Sequence, residues 1–307
     1  MKRPAGLKLN DKAVILSPAG KIDVSIVQDA AAVLRSWGLL PFIGGNAFCS
    51  TGRFSGSVDQ RRSDLQKAFD DPEVKMILCS RGGYGIVHLL RDLDFSGIRE
   101  YPKWVVGYSD ITALHAALQA NGIASVHGPM AKHLSDEGPD DQAVRYTRSL
   151  LSGLPVNYHI PVEGKSSLNR EGRATGRLFG GNLSVFCGML GSVYAKIPYR
   201  GILFIEDTGE VPYRVDRMMY QLKLAGVFEK ISGLVVGQFT DYQEDEQMYA
   251  PLRQSIMHTV KEYAFPVCFG FPVGHVKQNY PLIMGEKAVL TVSDDIITFH
   301  QNESAAS

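Results

Sequence analysis

Apolar residues recur along the 307-residue chain in two alternating rhythms. Short continuous runs, Ala13-Val14-Ile15-Leu16, Leu39 to Ile43, Lys75 to Ser80 and Trp104 to Tyr108, have the length and β-branched content of buried strands. Between them the spacing is helical: Ile26, Val27, Ala30, Val33 and Leu34; Leu65, Ala68 and Phe69 within Val58 to Phe69; Ile86, Leu89 and Leu90; then Ile111, Leu114, Ala117 and Leu118. Ala124 to His127 adds a short strand before Gly128-Pro129. Strand followed by helix, repeated, predicts an α/β fold with a mostly parallel sheet flanked by helices, because parallel strands need a crossover. Ligands in such folds gather outside the carboxyl ends of the strands. Gly44 to Gln60, rich in Gly, Ser, Asn and Thr, reads as a long loop, and loops of that length inside compact domains are usually functional or mobile.

The rhythm breaks between residues 151 and 172, where Gly153, Pro155, Pro161, Gly164, Gly172 and the polar Lys165-Ser166-Ser167 run predict a linker. The chain then divides into an N-terminal domain, 1–150, and a smaller C-terminal α/β domain, 173–307. In the second, Gly176 to Phe179 leads to Gly180-Gly181-Asn182 and a small-residue helix, and the strand Gly201 to Ile205 ends at Glu206-Asp207. Val215, Met218, Met219 and Leu222 predict a helix stopped by Gly226. Leu234 to Phe239 reads as a strand, Leu252 to Tyr263 as a helix, and Val267 to Phe271 as a strand closing on Pro272-Val273-Gly274-His275. Ala288 to Val292 and Ile296 to Phe299 form a predicted hairpin.

Composition narrows the function classes. Hydrophobic residues make up 45% and charged residues 21%, an ordinary globular balance. Lys plus Arg and Asp plus Glu are both 32, so no bulk field draws a polyanion, and nucleic-acid binding is disfavoured. Nothing approaches membrane-spanning length and no secretory leader is evident, so the expected location is the cytoplasm. The four cysteines, Cys49, Cys79, Cys187 and Cys268, are scattered without a C-x-x-C pair and read as free thiols rather than metal ligands.

Candidate chemistry lies at the turns. Gly107-Tyr108-Ser109-Asp110 joins a strand to a helix, a placement that lifts a serine hydroxyl above the sheet edge beside helix N-terminal N–H groups. Ser109 is either a nucleophile or an ordinary N-cap. A serine nucleophile needs a base, usually an imidazole oriented by a carboxylate. Of the eight histidines, His275 ends a constrained turn, whereas His88, His115 and His258 fall within helical patterns, with His127 and His133 as further candidates. Glu206, at the carboxyl end of an apolar strand, is the candidate carboxylate; the competing assignment pairs Glu206 or Asp207 with Arg214 or Arg217. Arg81-Gly82-Gly83-Tyr84-Gly85 opens another turn at the same predicted sheet edge. It is either an oxyanion-hole turn or an anion nest, but it fits neither dinucleotide nor P-loop fingerprint.

Taken in order, Ser17-Pro18-Ala19, Gly52-Arg53-Phe54, Arg81-Gly82-Gly83-Tyr84-Gly85, Gly107-Tyr108-Ser109-Asp110, Gly180-Gly181-Asn182-Leu183, Ile205-Glu206-Asp207 with Tyr213, Asp216 and Arg217, and Gly270 to His275 closely resemble the motifs of the serine LD-carboxypeptidases, the murein tetrapeptide carboxypeptidases. The resemblance covers nearly the whole chain. It implies an N-terminal domain like that of class I glutamine amidotransferases, with Ser109 as nucleophile, His275 as general base and acid, and Glu206 orienting His275. Backbone N–H groups of Asp110 and Gly83 would form the oxyanion hole. The implied substrate is a cytoplasmic murein tetrapeptide, cleaved between an L centre and terminal D-alanine without metal or cofactor, by an enzyme that is commonly a homodimer. Arg81 and Arg53 are candidates for the substrate's free carboxylate, since Arg pairs carboxylates bidentately. A related branch that hydrolyses peptidyl-nucleotide antibiotics, and a non-catalytic peptide-binding protein, are the alternatives.

Overall fold

The computed structural model describes residues 1–162 and 168–301, so the Lys165-Ser166-Ser167 run lies outside the described residues. The chain forms two units, Met1–Leu154 with Lys277–Gly285, and Pro155–Val276 with the residues from Glu286 onward.

The first unit alternates as the spacing predicts: β1 (Lys12–Leu16), α1 (Val24–Ser36), β2 (Leu40–Ile43), α2 (Val58–Asp70), β3 (Val74–Cys79), α3 (Ser96–Glu100), β4 (Trp104–Gly107), α4 (Thr112–Ala120), β5 (Ser125–His127), α5 (Ala131–Glu137) and α6 (Gln142–Leu151). Five strands lie parallel in the order 2-1-3-4-5, and a strand from far down the chain, Leu282–Met284, closes the β5 edge antiparallel. Nearly every residue of β1, β3 and β4 is buried, as expected for strands covered by helices on both faces. Ser57 starts α2 through a capping box with Gln60. At the far edge, β2 pairs with β1 alone among the described residues and leaves Leu40, Phe42 and Ile43 exposed.

Three features depart from expectation here. The apolar spacing of Ile86, Leu89 and Leu90 yields two short 3₁₀ turns, Ile86–His88 and Leu90–Asp92, rather than an α-helix. The Ile86 N–H donates to the Asp110 carboxylate at 2.9 Å, so the segment is pinned sideways at its first residue. The helices α5 and α6 also went unread, although α6 buries Ala143, Val144, Thr147, Leu150 and Leu151 at helical spacing behind an Asp141 cap. Finally, Lys277–Gly285 belongs to this unit and not to the C-terminal one. Lys277 pairs with Glu137 at 2.6 Å, Tyr280 Oη donates to Gln142 at 2.9 Å, and the Tyr280 ring packs edge-on against Tyr146.

The second unit contains β6 (Val156–Pro161), β7 (Gly172–Asn182), α7 (Leu183–Met189), β8 (Gly201–Thr208), α8 (Pro212–Leu224), β9 (Ile231–Thr240), α9 (Leu252–Thr259), β10 (Val267–Phe269), β12 (Lys287–Val292) and β13 (Ile296–Gln301); β11 is the Leu282–Met284 strand of the first unit. Its sheet runs 10-9-8-7-12-13-6, parallel from β10 to β7 and antiparallel from there to β6. One face carries the apolar core, with Phe186, Val215, Met219, Leu222, Ile256 and Val260 of the helices packed on Leu203, Ile205, Leu234 and Val236. The predicted linker is corrected in part, because Val156–Pro161 is an edge strand with Val156 and Tyr158 buried. Pro155 and Pro161 disguised it, yet a proline is tolerated at the end of an edge strand.

Candidate active site

Strand order places the first set of candidate residues. In a 2-1-3-4-5 sheet the order reverses between β1 and β3, and the carboxyl ends of those strands flank a crevice. The turns leaving β1 and β3 are tied together there. Ser80 Oγ donates to Ser17 Oγ at 2.8 Å in a fully buried pair, and Gly20 N–H donates to Gly82 O at 3.1 Å. Residues 51–55 border the same turns, with Lys21 N–H donating to Arg53 O and Ser55 N–H to Ala19 O. Arg53 and Arg81 are both exposed, and Arg81 Nη1 reaches Lys21 O at 3.4 Å.

Ser109 follows β4, the next strand along. Its φ is +65°, a left-handed conformation that is uncommon for a non-glycine residue and worth about 1–2 kcal/mol of strain. The residues at the cap positions of the following turn and of α4 are Tyr108 and Ile111, so Ser109 is not the N-cap. A methyl group on Gly82 would lie 2.7 Å from Ser109 Cβ and 2.8 Å from its Oγ, so only glycine lets the β3 turn approach this closely. Beneath the turn, His115 bonds Gly107 O and Ser125 Oγ, both at 2.8 Å. Burial pulls its pKa down to about 4, which leaves a neutral ring that donates from Nε2 to the carbonyl. His115 is a strut under the serine and not a base.

The Asp110 side chain works away from the serine. Its buried carboxylate accepts the N–H groups of Gly85 and Ile86, while burial raises its pKa against the opposing pull of those bonds and of Arg61. Arg61, on α2, is itself only 2% exposed. Its Nη1 donates to Pro18 O at 2.9 Å and to Gly85 O at 3.0 Å, and the Phe54 ring lies 5.0 Å from the guanidinium carbon.

In the second unit Glu206 and His275 meet. Glu206 lies where the β8–β9 register shifts, between Ile205 and Asp207, and such irregularities re-aim side chains. Its side chain is fully buried and its Oε2 is 2.8 Å from His275 Nδ1, whose ring is 20% exposed. A carboxylate only accepts, so Nδ1 carries the proton and Nε2 is the basic nitrogen of the neutral ring. Burial alone would lower the His275 pKa, but the Glu206 hydrogen bond and the charges of Glu206, Asp207 and Asp241 outweigh it and hold the value above the ordinary 6.5. A methyl at position 274 would fall 2.9 Å from Glu206 Oε2, and Gly274, at φ +123°, leaves that space to the carboxylate. The arginine alternative is set aside: Arg214 faces Glu210 at 3.9 Å, and Asp207 is held by Asn182 Nδ2 and the N–H groups of Ser184 and Thr208.

One unit carries a carboxylate-oriented imidazole and the other a strained serine beside a glycine turn, residue types that serine hydrolases use. Residues 14–128 match the LD-carboxypeptidase N-terminal domain, and residues 175–290 match the LD-carboxypeptidase C-terminal domain. The chain belongs to the LD-carboxypeptidase family, peptidase S66. A Pseudomonas aeruginosa protein named murein tetrapeptide carboxypeptidase is 30% identical over 92% of this chain and 94% of its own length. A Bacillus subtilis protein named "Probable murein peptide carboxypeptidase" is 33% identical over 95% of this chain and 92% of its own. The crystal structure of muramoyltetrapeptide carboxypeptidase from Oxalobacter formigenes superposes with a TM-score of 0.86 at 29% identity, covering 95% of this chain and 99% of that one.

Within this LD-carboxypeptidase fold, the residues read from sequence fall into two groups. Ser109, Asp110, Gly83, Arg81 and Arg53 lie on turns of the first unit; Glu206 and His275 form the hydrogen-bonded pair of the second. His258 is in α9, and His88, in a 3₁₀ turn, contacts Tyr84 and Phe54. His133 packs near Asp141 at 3.4 Å, away from both groups' hydrogen bonds. Arg61 went unread, although a charged residue on the Leu65, Ala68, Phe69 face of α2 was a visible signal. Among the described residues, no helix is long and apolar enough to cross a membrane, and no cluster of three or more His, Cys, Asp or Glu could hold a metal ion.

Proposed function

We propose that this LD-carboxypeptidase releases terminal D-alanine from cytoplasmic murein tetrapeptides, with Ser109 as nucleophile, His275 as general base and acid, and Glu206 orienting and charging His275. The observation that supports this most is the left-handed Ser109, whose strain has no evident use unless the hydroxyl must be presented to a reacting carbonyl. In this reading His275 Nε2 takes the Ser109 proton as Oγ adds to the carbonyl carbon, and the imidazolium returns it to the departing D-alanine amine. Water then hydrolyses the acyl-enzyme by the same route.

The oxyanion donors in this reading are the N–H groups of Asp110 and Gly83. The Gly82 carbonyl is held toward Gly20, and in a trans peptide the following N–H points the opposite way, so the Gly83 donor has a fixed direction. Arg81 and Arg53 would receive the substrate carboxylate, and the working form would be a homodimer.

The peptidyl-nucleotide alternative asks for aromatic side chains that stack on a base. In Phe239 to Gln247, a short acidic segment, Tyr242 is the only aromatic past the strand, and it is committed elsewhere, packed on the core with its hydroxyl donating to Glu244 at 3.2 Å, which favours the murein peptide. Incubation with murein tetrapeptide, with D-alanine measured and Ser109 labelled by a fluorophosphonate, tests the proposal. D-alanine release with stoichiometric labelling is expected. Labelling without release overturns the substrate, and absence of both overturns the hydrolase in favour of a peptide-binding protein.

A further inference from the structure

We propose that Arg61 is the positioning residue of the oxyanion loop: one buried guanidinium fixes the turns after β1 and β3 against the Ser109 elbow. The inference rests on the assignment of Ser109 as nucleophile and of the Gly83 and Asp110 N–H groups as oxyanion donors.

The Gly85 peptide is gripped at both ends. Its carbonyl accepts Arg61 Nη1 at 3.0 Å, and its N–H, with that of Ile86, faces the Asp110 carboxylate. The same Nη1 holds Pro18 O at 2.9 Å, on the turn whose Gly20 N–H fixes the Gly82 carbonyl. The loop bearing Gly83 is therefore anchored before and after the donor, at Gly82 through Gly20 and at Gly85 through Arg61 and Asp110. Steric contact adds to this, because a methyl on Gly85 would lie 2.7 Å from Arg61 Nη1 and 3.0 Å from the Phe54 ring. Arg61 and Asp110 also feel each other's charge, so the cation on α2 and the anion at the elbow hold the loop between them.

The geometry needs the reach of a guanidinium, whose terminal nitrogen lies one bond beyond the position of a lysine ammonium. Nη1 serves two carbonyls from a planar group capped by Phe54, whereas a lysine ammonium is a compact, strongly hydrated charge on a flexible stem. Oxyanion stabilisation depends on donors fixed before charge develops, so loosening them costs turnover rather than ground-state binding.

The test is Arg61→Lys, which keeps charge and stem. The expected result is a kcat lowered about 10- to 100-fold with KM within about twofold of the parent, and fluorophosphonate inactivation per titrated site slowed by a similar factor. Amide hydrogen exchange at Gly85 and Ile86 should accelerate selectively. An unchanged kcat overturns the proposal, as does a drop in melting temperature with normal inactivation per titrated site, which marks a merely structural arginine. Should Arg61→Lys not fold, Asp110→Asn removes the opposing charge of the same clamp and carries the same expectations. A parent protein that neither releases D-alanine nor reacts with the phosphonate would instead refute the hydrolase assignment, whatever exchange at Gly85 shows.

Discussion

Around Ser109 the first unit relies on backbone: a left-handed serine, glycines admitted by close approach, and carbonyl and N–H groups held in place from behind by Arg61 and Asp110. Around His275 the second unit relies on side chains, a fully buried carboxylate set against a partly exposed imidazole. Glu206 Oε1 finds no hydrogen-bond partner among the described residues, while Oε2 faces the imidazole. The two constructions should fail differently. A backbone half-site tolerates changes in side-chain chemistry behind it but not an added Cβ, whereas a side-chain half-site tolerates small backbone shifts but not the loss of a single charge.

The largest effects should come from the reacting groups. Ser109→Ala and His275→Ala are each expected to lower kcat for D-alanine release by about four powers of ten or more, because triad members act as a unit. Activity above about one per cent in either variant would dissolve the comparison altogether. Glu206→Gln is expected to cost about three to four powers of ten, since a neutral amide removes the charge and permits the wrong imidazole tautomer. The same variant should move the acid limb of kcat/KM to lower pH, because Glu206 favours the imidazolium and its loss lowers the His275 pKa. An acid limb that stays in place would show that Glu206 orients the ring without charging it.

Next comes Gly82→Ala, a change of one methyl group in the backbone half. It should lower kcat by about two to three powers of ten, because the added carbon displaces either Ser109 or the oxyanion loop. A wild-type rate would mean the turn can retreat and the site is less rigid than its contacts imply. Stability offers a gentler probe. Because the folded His275 pKa is raised, the ion pair stabilises fully below the unfolded value near 6.5, and that stabilisation is lost as pH rises through the folded value. Urea midpoints of the parent and His275→Asn should therefore converge as the pH goes from 5 to 8. The smallest expected effect lies outside both halves, at the fully buried Lys103. Its Nζ donates to Ala68, Phe69 and Asp71 carbonyls at the end of α2. Lys103→Met should cost about 1–3 kcal/mol of unfolding free energy in urea titration by orphaning those carbonyls, and leave kcat alone.

What the sequence disclosed follows the same division. Backbone demands leave glycine and serine signatures at strand ends, so Gly82-Gly83 and Ser109 could be read from local spacing, as could the parallel sheet from its apolar runs. Glu206 and His275 stand 69 residues apart. Each was recognisable only as a polar residue ending an apolar run, and the register shift of β8 at Glu206 is encoded by no local pattern. Arg61 belongs to no strand-end turn, so nothing local ties it to the Ser109 region, and β6 is disguised by its prolines. The Ile86 segment was misread because three apolar residues at helical spacing cannot distinguish a helix from a 3₁₀ turn pinned by a distant carboxylate.

The strand Leu282–Met284, which closes the first sheet along β5, has a consequence for how the protein is made. The ribosome delivers it only after Pro155–Val276 of the second unit, so the earlier-made domain waits with Ser125–His127 as an open edge. Unpaired edges invite association with other chains. A fragment ending at residue 154 should therefore aggregate, whereas the same fragment supplied with residues 277–285 on a short tether should stay monodisperse.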